Sequence, residues 1–219
     1  MSRQNRVTPF SELVATPARG TLMGNRGSLH NEKGDIRRLY RGKRWITCVL
    51  EFKNRHRSVM TPGQYTELFF LDEATALAAG HRPCAECRRD RFNLFREIFA
   101  RVNPGFANTP RPLAPMIDDV LHRERITEDN KKRTHHSRLG DLPDGAFVTF
   151  DGSPDAYLVL QGRLCQWTPF GYGHTVRRKP SEEVRVLTPP AIVRTLQAGY
   201  EIDLSTTESV LTERVLASP

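Results

Sequence analysis

Long hydrophobic runs are missing from this sequence: nothing in its 219 residues approaches the roughly 18 consecutive apolar residues that a membrane helix needs. Cysteine is scarce as well. Four cysteines are too few for a disulfide scaffold, and a chain of this length can bury a core without covalent staples. The first 20 residues hold no apolar run leading to a small-residue cleavage site, so no secretory signal is expected and a cytoplasmic location follows. No repeat recurs at a fixed period. These absences exclude membrane-spanning, secreted and fibrous classes. With 38% hydrophobic and 26% charged residues, the chain has globular composition, enough for one domain or two small ones.

Acidic charge is short in one part of the chain only. Residues 1–140 carry 26 Lys and Arg against 15 Asp and Glu, whereas residues 141–219 carry 7 against 10, for an overall charge of +8. Most of the basic residues in the first part are arginine, whose planar fork matches phosphate oxygens and guanine edges. Nucleic acid is therefore the expected partner. The plain alternative is a solubilising arginine-rich surface, because net charge argues for association and not for a site.

The chain reads as an α+β protein. Glycine-rich text over 19–44 suggests hairpins. Residues 45–52 alternate, with Ile46, Cys48, Leu50 and Phe52 on one face and Trp45, Thr47, Val49 and Glu51 on the other, as in a strand. A second strand is expected over 65–71, then a short helix capped by Asp72 and ended by Gly80. Residues 88–102 place Phe92, Phe95, Ile98, Phe99 and Val102 on one side at helical spacing. A proline-rich connector over 103–115 leads to a helix over 116–126 and a polar loop over 127–138. Strands follow at 146–150, 156–161, 163–168 and 184–187, with a GYG turn before the last of them, and then a helix from 188 to 197. The expected organisation is a metal-binding module over 1–102, a connector over 103–140, a small barrel-like β domain over 141–204 with its C-terminal helix, and a tail over 205–219.

Cys84 and Cys87 form a C-x-x-C turn directly before the amphipathic helix, a spacing that closes two thiolates on one tetrahedral ion. A helix N-terminus and Arg82, Arg88 and Arg89 beside them favour the thiolate form. Zinc is the expected ion. Cys48 on the preceding strand and His56 beyond its end complete a candidate Cys3His set, with His30 or His81 as alternative nitrogen donors. Cys48 could instead be a buried structural thiol, and the C-x-x-C pair could serve redox chemistry. Cys165 reads as a core residue.

The stretch 69–92, FFLDEATALAAGHRPCAECRRDRF, resembles the metal-binding domain of the Ada-type methylphosphotriester DNA repair family. Glu73, Ala74, Ala76, Leu77, Ala78, Ala79, Gly80, Arg82, Pro83, Cys84, Cys87 and Arg88 stand in register with that family's helix and R-P-C-x-x-C-R turn, with His81 where the family has an aromatic residue. The resemblance implies a small α+β fold, one zinc held by thiolates, DNA contacts from basic residues around the site, and a zinc thiolate that accepts a methyl group, a role only Cys48 could inherit. The family brings its first two cysteines as C-x-x-x-C, whereas here Phe52 follows Cys48 at that spacing, so four thiolates are excluded. No second acceptor motif and no helix-turn-helix is present.

The reading from sequence is thus a zinc-binding protein with an Ada-like site, binding nucleic acid through Arg55, Arg57, Arg82, Arg88 and Arg89. Two alternatives stand beside it. One is an enzyme acting on nucleic acid, by methyl transfer to Cys48 or by metal-dependent hydrolysis through Asp118, Asp119, His122, His135 and His136. The other is an interaction protein with a structural zinc. Trp167, Phe170 and Tyr172 could stack bases or pack a core.

Overall fold

A computed structural model of the chain describes residues 2–55, 58–106, 108–177 and 179–203. It is an α+β structure with two open six-stranded sheets. The first runs in the order β2-β1-β5-β3-β4-β6 and comprises β1 (Gln4–Val7), β2 (Leu13–Ala15), β3 (Leu22–Asn25), β4 (Ile46–Cys48), β5 (Leu68–Phe70) and β6 (Arg82–Pro83). The second runs β11-β10-β9-β8-β12-β7, antiparallel throughout, from β7 (His135–Arg138), β8 (Phe147–Thr149), β9 (Tyr157–Leu160), β10 (Arg163–Thr168), β11 (Gly171–Arg177) and β12 (Glu183–Val186). The helices are α1 (Glu73–Ala78), α2 (Arg89–Val102), α3 (Ala114–Arg125) and α4 (Pro190–Gln197). Among the described residues no helix is long and apolar enough to cross a membrane.

The short helix α1 lies between the two sheets. Asp72 caps it by accepting from the Thr75 N–H at 2.8 Å, and all six helical residues are buried. Its Ala76 and Ala79 side packs on Val7, Leu22, Leu68 and Phe70 of the first sheet. Its Ala74, Leu77 and Ala78 side joins a larger cluster with Phe95 and Phe99 of α2, Ile117 and Leu121 of α3, and Phe147, Leu158 and Cys165 of the second sheet. Small residues are what allow a helix to sit so close to neighbours on both sides. Gly80 ends it at φ +81°, and its carbonyl accepts from Arg125 Nη1 at 2.9 Å.

Period-two alternation dresses the second sheet on both faces. Phe147, Leu158 and Cys165 turn to the helices, while Val148, Val159 and Leu164 form a separate cluster with Val184 and Val186. The barrel-like expectation is corrected here: β11 and β7 stand at opposite ends of the strand order without pairing, so the sheet stays open. The main cluster also runs across the boundaries expected near 102 and 140, drawing on both sides of each.

Several elements differ from the sequence reading. The strand expected over 45–52 is the three-residue β4, and its buried face is the one carrying Trp45 and Thr47, each 1% exposed. The polar segment read as a loop contains β7, which pairs with β12. The GYG segment is part of β11 and not a turn, with Tyr172 buried and Phe170 exposed beside it. Tyr172 donates to Asp72 at 2.7 Å and the Trp167 indole donates to Thr75 Oγ1 at 3.1 Å, so both aromatic rings pack inward and do not form a stacking surface.

Candidate metal centre

Strand pairing brings the cysteines together. β4 runs parallel to β6, with Ile46 opposite Arg82 and Thr47 opposite Pro83, and the ladder continues as the Cys84 N–H donates to the Thr47 carbonyl at 2.8 Å. This sets Cys84 beside the end of β4, where Cys48 projects from the face opposite Trp45 and Thr47. The chain then turns through residues 84–87, closed by the Arg88 N–H on the Cys84 carbonyl at 3.2 Å, and enters α2. The turn returns Cys87 to the same point. The Sγ atoms of Cys48, Cys84 and Cys87 all lie within 4.8 Å of one another. A tetrahedral ion with metal–sulfur bonds of about 2.3 Å holds its sulfurs about 3.8 Å apart, so the cluster needs little adjustment to grip one.

None of the three sulfurs forms a disulfide; Cys84 is buried, and Cys48 and Cys87 are half-buried. Hydrogen bonds from the Cys48 and Cys87 thiols, reinforced by the Cys87 and Glu86 N–H groups, hold Cys84 well below the usual thiol range. Cys48 is pushed up by its hydrogen bonds with Cys84 and Cys87 and by burial. For Cys87 the bond with Cys48 acts downward, but Cys84 and burial outweigh it and the net shift is upward. Thiolates this close together repel one another. All three can ionise together only around a cation, and three converging thiolates with backbone N–H support suit a thiophilic divalent ion. A two-thiol redox pair has no need of the third sulfur.

A buried ionic latch holds the two halves of the centre. Arg88, next to Cys87, donates to Glu73 Oε1 at 2.8 Å and to Thr47 Oγ1 at 3.0 Å, joining α1, the cysteine turn and β4. Glu73 also accepts from Arg91 at 2.6 Å, the Tyr200 hydroxyl at 2.7 Å and the Asp203 N–H at 2.8 Å. Sequence reasoning missed this role for Thr47 and Glu73; the available signal was a threonine on the inward face of a strand and a glutamate at a helix start.

The other expected site residues fall as follows. His56 and Arg57 lie outside the described residues. Arg55 is exposed and pairs with Glu86, between the two cysteines, at 2.8 Å, and Arg89 is exposed at the start of α2. Arg82 and Arg88 are corrected: they are 2% and 6% exposed, with Arg82 bidentate on Asp118 at 2.9 and 2.8 Å and Arg88 on Glu73. Guanidiniums spent on buried carboxylates are scaffold groups and do not reach a phosphate outside. His30 is held by Thr66 and the Thr61 carbonyl, and His81 is enclosed against Trp45 and Phe70, so neither serves the sulfurs.

The hydrolytic set does not assemble. Asp118 is buried on Arg82, Asp119 pairs with Lys43 at 2.8 Å, His122 packs on the Tyr40 ring, and His135 and His136 lie in β7. Among the described residues, the three cysteines are the one cluster of His, Cys, Asp or Glu with metal-ligand geometry. Compared with known proteins, the chain matches no family model, no curated protein and no solved structure.

Proposed function

We propose that the chain is a zinc-thiolate protein that binds nucleic acid, DNA in the first place, with Cys48, Cys84, Cys87 and His56 as the metal ligands. The observation that carries this reading is the convergence of three sulfurs from two separate segments at the start of an amphipathic helix. Zinc is favoured by the soft thiolate set and by four-coordinate closure with one imidazole. The local likeness of residues 69–92 to the Ada-type metal-binding domain points the same way. Arg55, paired with Glu86 of the cysteine turn, and Arg89, at the start of α2, are exposed, and with the net charge of +8 they suit a phosphate backbone.

Metal analysis of the purified chain tests the centre. One zinc per chain is expected in the wild type, with loss in Cys48→Ser, Cys84→Ser and Cys87→Ser, reduced affinity in His56→Ala, and no change in Cys165→Ser. A metal content independent of Cys48 would overturn the ligand set. Duplex DNA binding measured between low and moderate salt tests the partner, and an affinity flat across that range would refute it.

A second reading is favoured by the half-buried position of Cys48 beside a buried Cys84. Bound zinc would keep the thiolates deprotonated. Cys48 would then take a methyl group from a phosphotriester: the sulfur–carbon bond forms, the carbon–oxygen bond breaks, and the phosphodiester leaves as an anion. Intact-mass measurement after exposure to methylated DNA decides it, since a gain of one methyl confined to Cys48 is required.

A further inference from the structure

On the face of β4 opposite Cys48 the structure holds a cavity of about 370 Å³. Arg26, Arg125 and Lys132 line it, together with Trp45, Phe10 and Leu39. Both arginines are 1% exposed, and their guanidinium carbons lie 4.1 and 4.0 Å from the centre of the Trp45 ring. Among the described residues, none of the three cations makes an ion pair. Arg26 donates to the Ser11 carbonyl at 2.9 Å and to His81 at 3.2 Å; Arg125 donates to the carbonyls of Gly80 and Lys43; Lys132 donates to the Ala78 carbonyl. The Arg125 Nε is buried with no partner at all. Of the carboxylates on the same helix, Asp118 is taken by Arg82, Asp119 by Lys43 and Glu124 by Arg194, and Glu12 lines the cavity from an exposed position.

Two guanidiniums and a lysine gathered in one cavity, held by carbonyls, the Ser11 hydroxyl, two imidazoles and the Trp45 ring but by no carboxylate, repel one another and have lost much of their hydration. Burial, and then repulsion from Arg125, lowers the Arg26 guanidinium to about 9, and burial before all else does the same to Arg125. A fold keeps such an arrangement at a cost in stability, which an anion entering the cavity would offset. We propose that this cavity is a binding site for a phosphomonoester of mononucleotide size. Burial, and then Arg26 and Arg125, also hold Lys132 well below its ordinary range, and an anion beside it would favour its charged form; a dianion suits these two guanidiniums and the ammonium better than a single carboxylate does, and guanidinium forks match tetrahedral oxyanions. The volume lies at the small-molecule end of the range for ligand sites, about 300 to 1,000 Å³, and the Phe10 and Leu39 side chains offer an apolar wall for the body attached to the phosphate. The phosphate itself could be that of a free nucleotide or the 5′ end of a strand.

The site is separate from the metal centre, so the two stand or fall independently. Calorimetric titration of the full-length chain with the four nucleoside 5′-monophosphates, their unphosphorylated nucleosides and inorganic phosphate, in chloride at matched ionic strength, is the test. At least one monophosphate is expected to saturate at one per chain, its nucleoside to bind at least 30-fold more weakly, and inorganic phosphate to compete. Lys132→Met and Arg125→Gln should each weaken the monophosphate at least tenfold while zinc content stays at the wild-type value. Because either variant could misfold, the wild-type contrast between nucleotide and nucleoside decides by itself. A 5′-phosphorylated oligonucleotide that competes where its 5′-hydroxyl twin does not assigns the phosphate to a strand end; competition by free monophosphate alone assigns it to a small ligand. No saturable binding of any monophosphate, or equal binding of the nucleoside, overturns the proposal.

Discussion

Replacing Glu73 by glutamine removes one charge from the most densely bonded carboxylate of the latch. Its side chain is 1% exposed, and its ion-pair partner Arg88 is 4% exposed, so the loss cannot be made good by water. Breaking a buried pair by removing one partner costs about 3–5 kcal/mol, since it leaves the other charge buried without compensation. Arg91 has a side chain 28% exposed and can turn toward solvent, so it adds at most about 1 kcal/mol. A total near 3–6 kcal/mol is a large part of the roughly 5–15 kcal/mol that holds a domain folded. For a chain of this size it corresponds to a melting point lower by about 6–24 °C. Urea unfolding followed by circular dichroism and by fluorescence of the two tryptophans measures it. The double variant Glu73→Leu with Arg88→Met should lose less than the sum of its two single variants, because neither charge is then left buried alone, while the Tyr200 hydroxyl and the Asp203 N–H still lose their acceptor. Since Arg88 also grips Thr47, Glu73→Gln should weaken metal affinity as well as stability. A loss below about 1 kcal/mol, or single-variant losses that simply add in the double variant, would refute the reasoning.

Three further outcomes are expected. Burial first, and then Arg26, Arg125 and Lys132, hold His81 well below its ordinary value of 6.5, so the unfolded chain binds a proton that the folded chain refuses. Its contribution is therefore fully present above pH 6.5 and is lost as pH falls below it, by up to about 1.4 kcal/mol per pH unit; His81→Phe should flatten stability against pH between 5 and 6.5, and parallel curves would refute it. Gly80→Ala places a methyl group 2.6 Å from Arg125 Cδ at φ +81°, and should cost at least about 1–2 kcal/mol in urea unfolding; a neutral result would mean that the turn relaxes. Arg55→Ala and Arg89→Ala should each reduce the salt slope of DNA binding by about 0.9 if each meets one phosphate, whereas Arg82→Gln should lower stability and leave the slope unchanged.

How much could be read in advance depends on the range of the interaction. The cap at Asp72, the turn at Gly80, the apolar stripe of α2 and the bounds of β10 rest on residues a few positions apart, and periodicity exposes them. The convergence of Cys48 with the C-x-x-C pair was also legible, through ligand chemistry. Which face of β4 turns inward was not: the face of Ile46, Cys48, Leu50 and Phe52 is the more apolar in sequence, yet the face of Trp45 and Thr47 is the buried one, because the neighbouring elements decide. The burial of Arg82 and Arg88 was hidden for a related reason: their carboxylates lie 36 and 15 positions away, and an arginine reads the same in sequence whether it meets solvent or Asp118. β1 and β2 are too short to alternate visibly, and β7 passes for a loop because it is an edge strand dressed in polar residues. In β11 the glycines suggested a turn, yet the strand accommodates them at the rim of its sheet.

The placement of Asp72 and Glu73 bears on how the protein can be divided. Each of these adjacent acids opens α1 yet is bonded to a tyrosine far along the chain, Tyr172 and Tyr200 respectively. Truncation near residue 140 would therefore withdraw a phenol from each acid at once and strip the helix of its apolar cover. A fragment ending there would carry Cys48, Cys84 and Cys87 and still lack the support that orients them. Any shorter relative preserving the sulfur site should have lost these acids together, with nonpolar side chains in their place.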